Sequence, residues 1–170
     1  MVSRVLDASA FYAGIPFGSQ IDSYTTPNVY DEIKHIKRNH DAIGILLETK
    51  RLRIIDPEKE YTAEVIKMSK TTGDFNELSK EDVSSIALCL QLNGELVTDD
   101  FAVSNVSKSL GLKISPIMTS GIKYVGKWIY YCPGCHKNFY KSTECPMCGS
   151  QLRKKLIKNK SSEISINKRS

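Results

Sequence analysis

Short apolar runs alternate with longer amphipathic stretches through the first 115 residues. Val5 and Leu6 mark a buried strand over residues 3–6. Residues 11–19, with Gly14, Pro16 and Gly18, read as a loop. A strand over 23–26 leads to Pro27, which suits the first turn of a helix. Val29, Ile33 and Ile36, then Ile43, Leu46 and Leu47, recur at helical spacing and predict two helices reaching about residue 49. Residues 52–55 form a strand closed by Asp56-Pro57. Tyr61, Val65, Ile66 and Met68 give a helix ending near Gly73, and 79–92 gives a stronger one stopped by Asn93-Gly94. A buried strand over 95–98, a helix over 101–110 ended by Gly111, and a strand over 112–115 complete the series. Strands alternating with helices predict an α/β fold, a mostly parallel sheet covered on both faces.

The pattern changes after residue 117. Residues 118–126, with Gly121 and Gly126, predict a linker, and Trp128-Ile129-Tyr130-Tyr131 a strand entering a second unit. That unit carries Cys132-Pro133-Gly134-Cys135, nine residues, then Cys145-Pro146-Met147-Cys148. Each Cys-x-x-Cys knuckle turns two thiolates toward one point, and four thiolates close a tetrahedral Zn²⁺ site. A module this small has too little core to fold unaided, so the metal supplies its folding energy. The boundaries predicted are 1–117 for the α/β domain, 118–126 for the linker, 127–153 for the zinc ribbon and 154–170 for a basic, disordered tail. Cys89, alone in an apolar run, reads as a small core residue. His136, beside Cys135, reads as exposed rather than as a ligand.

Charge divides the chain at the same place. Residues 1–122 hold 13 Lys/Arg against 17 Asp/Glu, and residues 123–170 hold 11 against 2. An acidic body with a basic appendage points to a polyanion held by one part and processed by the other; a solvated Lys-rich tail is the plainer alternative. Lys123, Lys127, Lys137, Lys141, Arg153, Lys154 and Lys155 interleave with Trp128, Tyr130, Tyr131, Phe139 and Tyr140. Lysines hold phosphates and aromatics stack unpaired bases, though at least half of these aromatics are expected simply to cover the metal site. No apolar run approaches a membrane span, and Asp7 interrupts the N-terminus before any secretory apolar region. The expected location is cytoplasmic, in keeping with paired knuckle cysteines rather than a disulfide framework.

Four acids fall where such a sheet forms ligand sites. Asp7 follows the first strand, and Asp99 and Asp100 follow the strand at 95–98. Glu32 and Asp82 sit in the first turns of helices that start at the same sheet edge. Gathered carboxylates raise one another's pKa unless a cation intervenes, and oxygen donors suit Mg²⁺ or Mn²⁺. Each acid has a second reading. Ser79-x-x-Asp82 is a capping box, Asp7 and Asp100 fit helix caps, and Glu32 fits a solvated helix face. Convergence of all four is what the metal reading requires. His35, His40 and His136 have no catalytic context.

Four blocks then resemble a known family. Val5-Leu6-Asp7-Ala8-Ser9-Ala10-Phe11, Thr26-Pro27-Asn28-Val29-Tyr30-Asp31-Glu32-Ile33, Leu78-Ser79-Lys80-Glu81-Asp82-Val83 and Leu96-Val97-Thr98-Asp99-Asp100-Phe101 resemble, in order, the PIN-domain nucleases. With a four-cysteine ribbon behind it, and with Thr98 to Asn105 and Gly121-Ile122-Lys123 also matching, the chain resembles the compact archaeal Nob-type ribosome-biogenesis endonucleases over about residues 1–152. The resemblance implies a single-strand RNA endonuclease using Mg²⁺ or Mn²⁺, leaving 5′-phosphate and 3′-hydroxyl ends. Its implied substrate is the small-subunit rRNA precursor, trimmed at its 3′ end on the pre-ribosomal small subunit. It assigns Asp7, Glu32, Asp82 and Asp100 as metal-binding acids, Asp99 as a further ligand or supporting acid, and Ser9 and Thr98 as hydroxyls orienting carboxylates or waters. A non-catalytic RNA-binding assembly factor and a toxin-type PIN ribonuclease acting on tRNA or mRNA are the alternatives. Oligomeric state is left open.

Overall fold

The computed structural model describes residues 2–35, 40–118, 124–139 and 143–160. Five three-residue strands, β1 (Arg4–Leu6), β2 (Ser23–Thr25), β3 (Leu52–Ile54), β4 (Glu95–Val97) and β5 (Lys113–Ser115), form one parallel sheet in the order β3-β2-β1-β4-β5. The chain builds outward from β1 to β2 and β3, then returns to place β4 on the other side of β1. That reversal opens a crevice beyond the carboxyl ends of β1 and β4, the place where doubly wound sheets bind ligands.

Alternation along the strands supplies both faces. Leu6 and Val97 pack with Phe11, Val29, Ile33, Ile43 and Leu46. These belong to α1 (Ala8–Tyr12), α3 (Pro27–Ile33) and α4 (His40–Glu48). Val5 and Leu96 point the other way, into Val65, Ile86, Leu88, Val103 and Val106. These come from α5 (Lys59–Thr72), α6 (Lys80–Gln91) and α7 (Phe101–Ser109). A period of two along a strand makes this two-sided core possible. Cys89 is buried with this second cluster, and burial pushes its thiol up to about 12.

The predicted loop at 11–19 is instead the end of α1 followed by a one-turn helix, α2 (Ile15–Gly18), entered through Gly14 at φ 77° with a proline near its start. Its five- and four-residue helices are too short for an apolar period to register.

A second sheet follows. Strands β6 (Tyr124–Tyr131), β7 (Asn138–Phe139) and β8 (Arg153–Lys160) pair antiparallel in the order β7-β6-β8. Residues 154–160, expected as part of a disordered tail, are strand. The predicted linker segment likewise already enters β6 at Tyr124. Both differences have one cause: β8 finds β6 as partner along all eight residues, with Leu156 opposite Trp128 and Ile157 opposite Lys127. Pairing with a neighbour overrides a Lys-rich composition that disfavours strand.

The second sheet is docked on the first unit. Asn105, fully buried in α7, donates from Nδ2 to the Gly126 carbonyl at 2.7 Å and accepts the Gly126 N–H at 2.6 Å. Asp74, just past α5, accepts from Asn105 at 2.7 Å and from the Trp128 indole N–H at 2.9 Å. Gly73, at φ 85°, lets Trp128 close on the end of α5; a Cβ there would stand 2.6 Å from the Trp128 Cβ. Among the described residues, no helix is long and apolar enough to cross a membrane.

Candidate active site and metal centre

Asp7, Glu32, Asp82 and Asp100 line one open cleft of about 520 Å³ at the crevice of the parallel sheet, together with Ser9, Tyr12, Ser79 and Glu81. Three of these acids also take part in capping a helix start, so capping and a place in the cleft coexist. Asp7 caps α1 through Ala8 N at 2.7 Å, Asp82 closes a capping box with Ser79 at the start of α6, and Asp100 caps α7 through Val103 N at 2.8 Å. The cap bonds fall on one oxygen of each carboxylate, Oδ2 of Asp82 and Oδ1 of Asp100. Capping fixes where each carboxylate stands, at the positive ends of three helices.

Thr98 ties the centre of the cleft together. Its hydroxyl donates to Asp7 Oδ2 at 2.9 Å and accepts the Asp100 N–H at 3.1 Å, linking the ends of β1 and β4. Ser9 Oγ lies 3.4 Å from the same Asp7 oxygen. A buried pair, Thr26 and Ser84 at 2.7 Å, clamps the start of α3 to α6, and so holds the helix of Glu32 beside that of Asp82. Glu32 itself is exposed and accepts from the Tyr12 phenol at 3.1 Å.

Asp7 is 3 % exposed. Burial, then the negative charges of Asp82 and Asp100, push its carboxyl up to about 6, against the opposing hydrogen bonds from Thr98 and Ala8. Burial, and then nearby Glu32, likewise raise the Tyr12 phenol. A site that costs this much to ionise is one that a bound cation would relieve, and its donors are all oxygens, as Mg²⁺ or Mn²⁺ demands.

Asp99 is not among the residues that line the cleft. Its two oxygens accept the backbone N–H groups of Ile117 and Met118 at 2.9 and 2.8 Å, so it holds the chain leaving β5 and does not line the cleft. Adjacent residues after a strand point to opposite sides, and here only Asp100 is directed to the acids. Two cleft residues carried no motif-level signal. Glu81 is hidden beside Asp82 in a charged first turn, and Tyr12 looks like any exposed helix aromatic.

The four knuckle cysteines converge. Cys132, Cys135, Cys145 and Cys148 have their sulfurs within 4.8 Å of one another, the tight cluster of potential ligands found among the described residues. The Cys135 N–H points at Cys132 Sγ from 3.4 Å, and Gly134 leaves room for Cys148 and Ser150. Two left-handed residues, His136 (φ 59°) and Gly149 (φ 71°), turn the chain out of each knuckle. His136 is exposed and bonded to the Tyr131 hydroxyl. Four converging thiols with no disulfide fit a structural Zn²⁺.

The basic residues divide between two faces of the ribbon sheet. Lys154, opposite Tyr130, turns toward the first unit, where it pairs with Glu77 at 3.4 Å, and lies 4.8 Å over the Trp128 ring. Arg153 and Lys155 stand on the other face with Tyr131, and Lys155 lies 5.5 Å over that ring. Lys127 and Lys137 are exposed, whereas Lys123, Lys141 and Tyr140 lie outside the described residues.

Residues 4–92 match the family model described as the PIN domain of ribonuclease. Endoribonuclease Nob1 of Pyrococcus abyssi is 36% identical over 152 residues, covering 88% of this chain and 91% of the relative. Endoribonuclease Nob1 of Methanocaldococcus jannaschii is 35% identical over 164 residues, covering 94% and 81%. A shorter match, 32% over 78 residues, joins 46% of this chain to 17% of the 20S-pre-rRNA D-site endonuclease NOB1 of Saccharomyces cerevisiae. A parallel sheet with a capped acidic crevice, a converged four-cysteine ribbon and these likenesses along nearly the whole chain lead to one assignment: the chain belongs to the Nob1 endoribonucleases, built on the PIN domain of ribonuclease.

Proposed function

We propose that this nuclease is a divalent-metal-dependent endoribonuclease that cuts single-stranded precursor rRNA at the 3′ end of the small-subunit rRNA. The observation that carries the reading is the meeting of Asp7, Glu32, Asp82 and Asp100 in one cleft from four separate parts of the chain. The relatives' names supply the substrate: endoribonuclease for the archaeal proteins, pre-rRNA for the yeast one.

The four acids would hold Mg²⁺ or Mn²⁺, which when bound lowers the pKa of water and stabilises charge on a phosphodiester. The chain's own residues do the positioning. Thr98 and Ser9 fix the Asp7 carboxylate, and the caps of α6 and α7 fix Asp82 and Asp100. Tyr12 orients Glu32 at the open rim. Hydrolysis at the phosphorus with departure of the 3′ oxygen leaves 5′-phosphate and 3′-hydroxyl ends. Zn²⁺ on the four cysteines is structural, and the exposed cations of the ribbon sheet engage RNA phosphates within a pre-ribosomal small subunit in the cytoplasm.

The test is cleavage of an end-labelled RNA spanning the mature 3′ end, naked and within the assembled particle, with Mn²⁺. A discrete metal-dependent product at the mature end supports the proposal in full. Scattered cuts on naked RNA that focus in the particle assign site choice to the particle. Binding without any cut in either state favours the assembly-factor alternative.

A further inference from the structure

A second depression of about 750 Å³ lies beside the acidic cleft, between α5 and α6. Ser79 lines both, so the two are neighbours. Its floor is apolar, made by Ala63, Ile66, Leu78 and Phe75, the last of which is 42% exposed. Lys59 and Lys80 stand at its lining, against the single acid Asp56. Lys70 lies 4.9 Å over the Phe75 ring.

The segment that carries Phe75 also touches the ribbon. Asp74, immediately before Phe75, binds the Trp128 indole, and Glu77, two residues after it, pairs with Lys154 of β8. One short stretch, residues 74–82, therefore runs from the ribbon, past the depression, to Asp82 in the cleft. A substrate strand passing from the basic ribbon to the acids has this floor along its way.

We propose that this depression is a base-binding subsite of the nuclease, taking an unpaired RNA base next to the scissile phosphate, with Phe75 as the stacking platform and Lys59 and Lys80 on the flanking phosphates. The inference rests on the nuclease reading given above. Its physical basis is that a nucleic acid base offers every groove the same apolar face, while its backbone demands cations at the rim. A helix of a protein partner would fill an apolar groove as well, but the position beside the acidic cleft and the two lysines favour RNA.

The test uses the full-length, zinc-loaded protein and a fluorescent single-stranded RNA of about 12 nucleotides, long enough to span several stacking positions. Affinity is read by anisotropy without added divalent cation, then KM with Mn²⁺. Phe75→Ala removes the platform, and Ala63→Trp fills the depression while leaving Phe75. Each is expected to weaken binding about tenfold, the scale of one lost base stack, and to raise KM by the same factor. An oligonucleotide lacking the base next to the cut should bind wild type more weakly by a similar factor and lose nothing further with Phe75→Ala. Both variants binding RNA like wild type while melting normally overturns the subsite. So does a Phe75→Ala loss that persists on the abasic RNA, or a loss confined to cleavage in the assembled particle, which would give the depression to a protein. Wild type that binds RNA with this same sensitivity but never cuts leaves the subsite standing and refutes the nuclease reading alone.

Discussion

Asp7 is where burial and function conflict. Its carboxyl sits at about 6 in the folded protein against an ordinary 3.8, mainly through burial and then through Asp82 and Asp100. The folded state thus holds this proton more tightly than the unfolded state. The stabilisation from the protonated group is complete below pH 3.8 and is lost as the pH rises through 6. Above that window the metal-free site carries a cost on the order of 3 kcal/mol, from 1.36 kcal/mol per pKa unit. Asp7→Asn removes this cost. Without Mg²⁺ or Mn²⁺ at pH 7.5 the variant should melt several degrees above wild type, with the gain gone below pH 4; differential scanning calorimetry at the two pH values reads it. Mn²⁺ should raise the wild-type Tm and leave that of the variant nearly unchanged. At sub-saturating Mn²⁺, cleavage by wild type should fall about tenfold per pH unit below 6, because the cation must displace the Asp7 proton. The four acids themselves were legible, because a carboxylate after a strand and one in the next helix's first turn must meet at one sheet edge. Asp99 was not separable from Asp100, since a one-residue difference after a strand decides which of the two faces the cleft and sequence spacing alone does not fix that turn.

Elements were legible wherever a period had room to repeat. Helices α5 and α6 ended where Gly73 and Asn93-Gly94 said they would, because a left-handed residue, φ 85° at Gly73 and 46° at Asn93, cannot continue an α-helix. β8 was not legible, since its strand character resides in its partner β6 rather than in its own lysines. The docking elements were equally hidden. Asn105 sits inside α7 and Asp74 just beyond α5, and both look like ordinary polar residues until Gly126 and Trp128 arrive. Asn105→Ala would leave the Gly126 N–H and carbonyl and one Asp74 oxygen buried without partners. A loss of about 2–4 kcal/mol is expected, more than one hydrogen bond and comparable to a broken buried network. Trp128 is the single tryptophan of the chain, so its emission reports the joint directly. The variant should shift that emission to the red at temperatures where the helical signal is still native. Coincident loss of both signals would mean that the two sheets unfold as one.

At the scale of the whole molecule, the charge division of the sequence becomes a division of labour. The net-acidic body carries the cleft, the net-basic ribbon adds exposed Lys127, Lys137, Arg153 and Lys155, and the Asp74–Asn105 joint holds one against the other. Zinc removal should therefore act on substrate placement before it acts on chemistry. Chelation is expected to redden Trp128, to lower RNA affinity, and to flatten its salt dependence as ribbon cations leave the phosphates. The parallel sheet, whose core contains none of the four ligands, should keep its helical circular dichroism. Complete loss of helical signal on chelation would contradict an independent core for the first unit. The most direct measurement of the central claim is Mn²⁺-dependent cleavage of one labelled single-stranded pre-rRNA fragment by five folded variants side by side: Asp7→Asn, Glu32→Gln, Asp82→Asn, Asp100→Asn and Asp99→Asn. The account predicts at least a hundredfold loss of cleavage with retained RNA binding for the first four, and for Asp99→Asn a lowered Tm with cleavage within about threefold of wild type, as expected of removing a bound site acid against removing a backbone anchor. Wild-type cleavage by any of the first four, or its abolition in a folded Asp99→Asn protein, would contradict it.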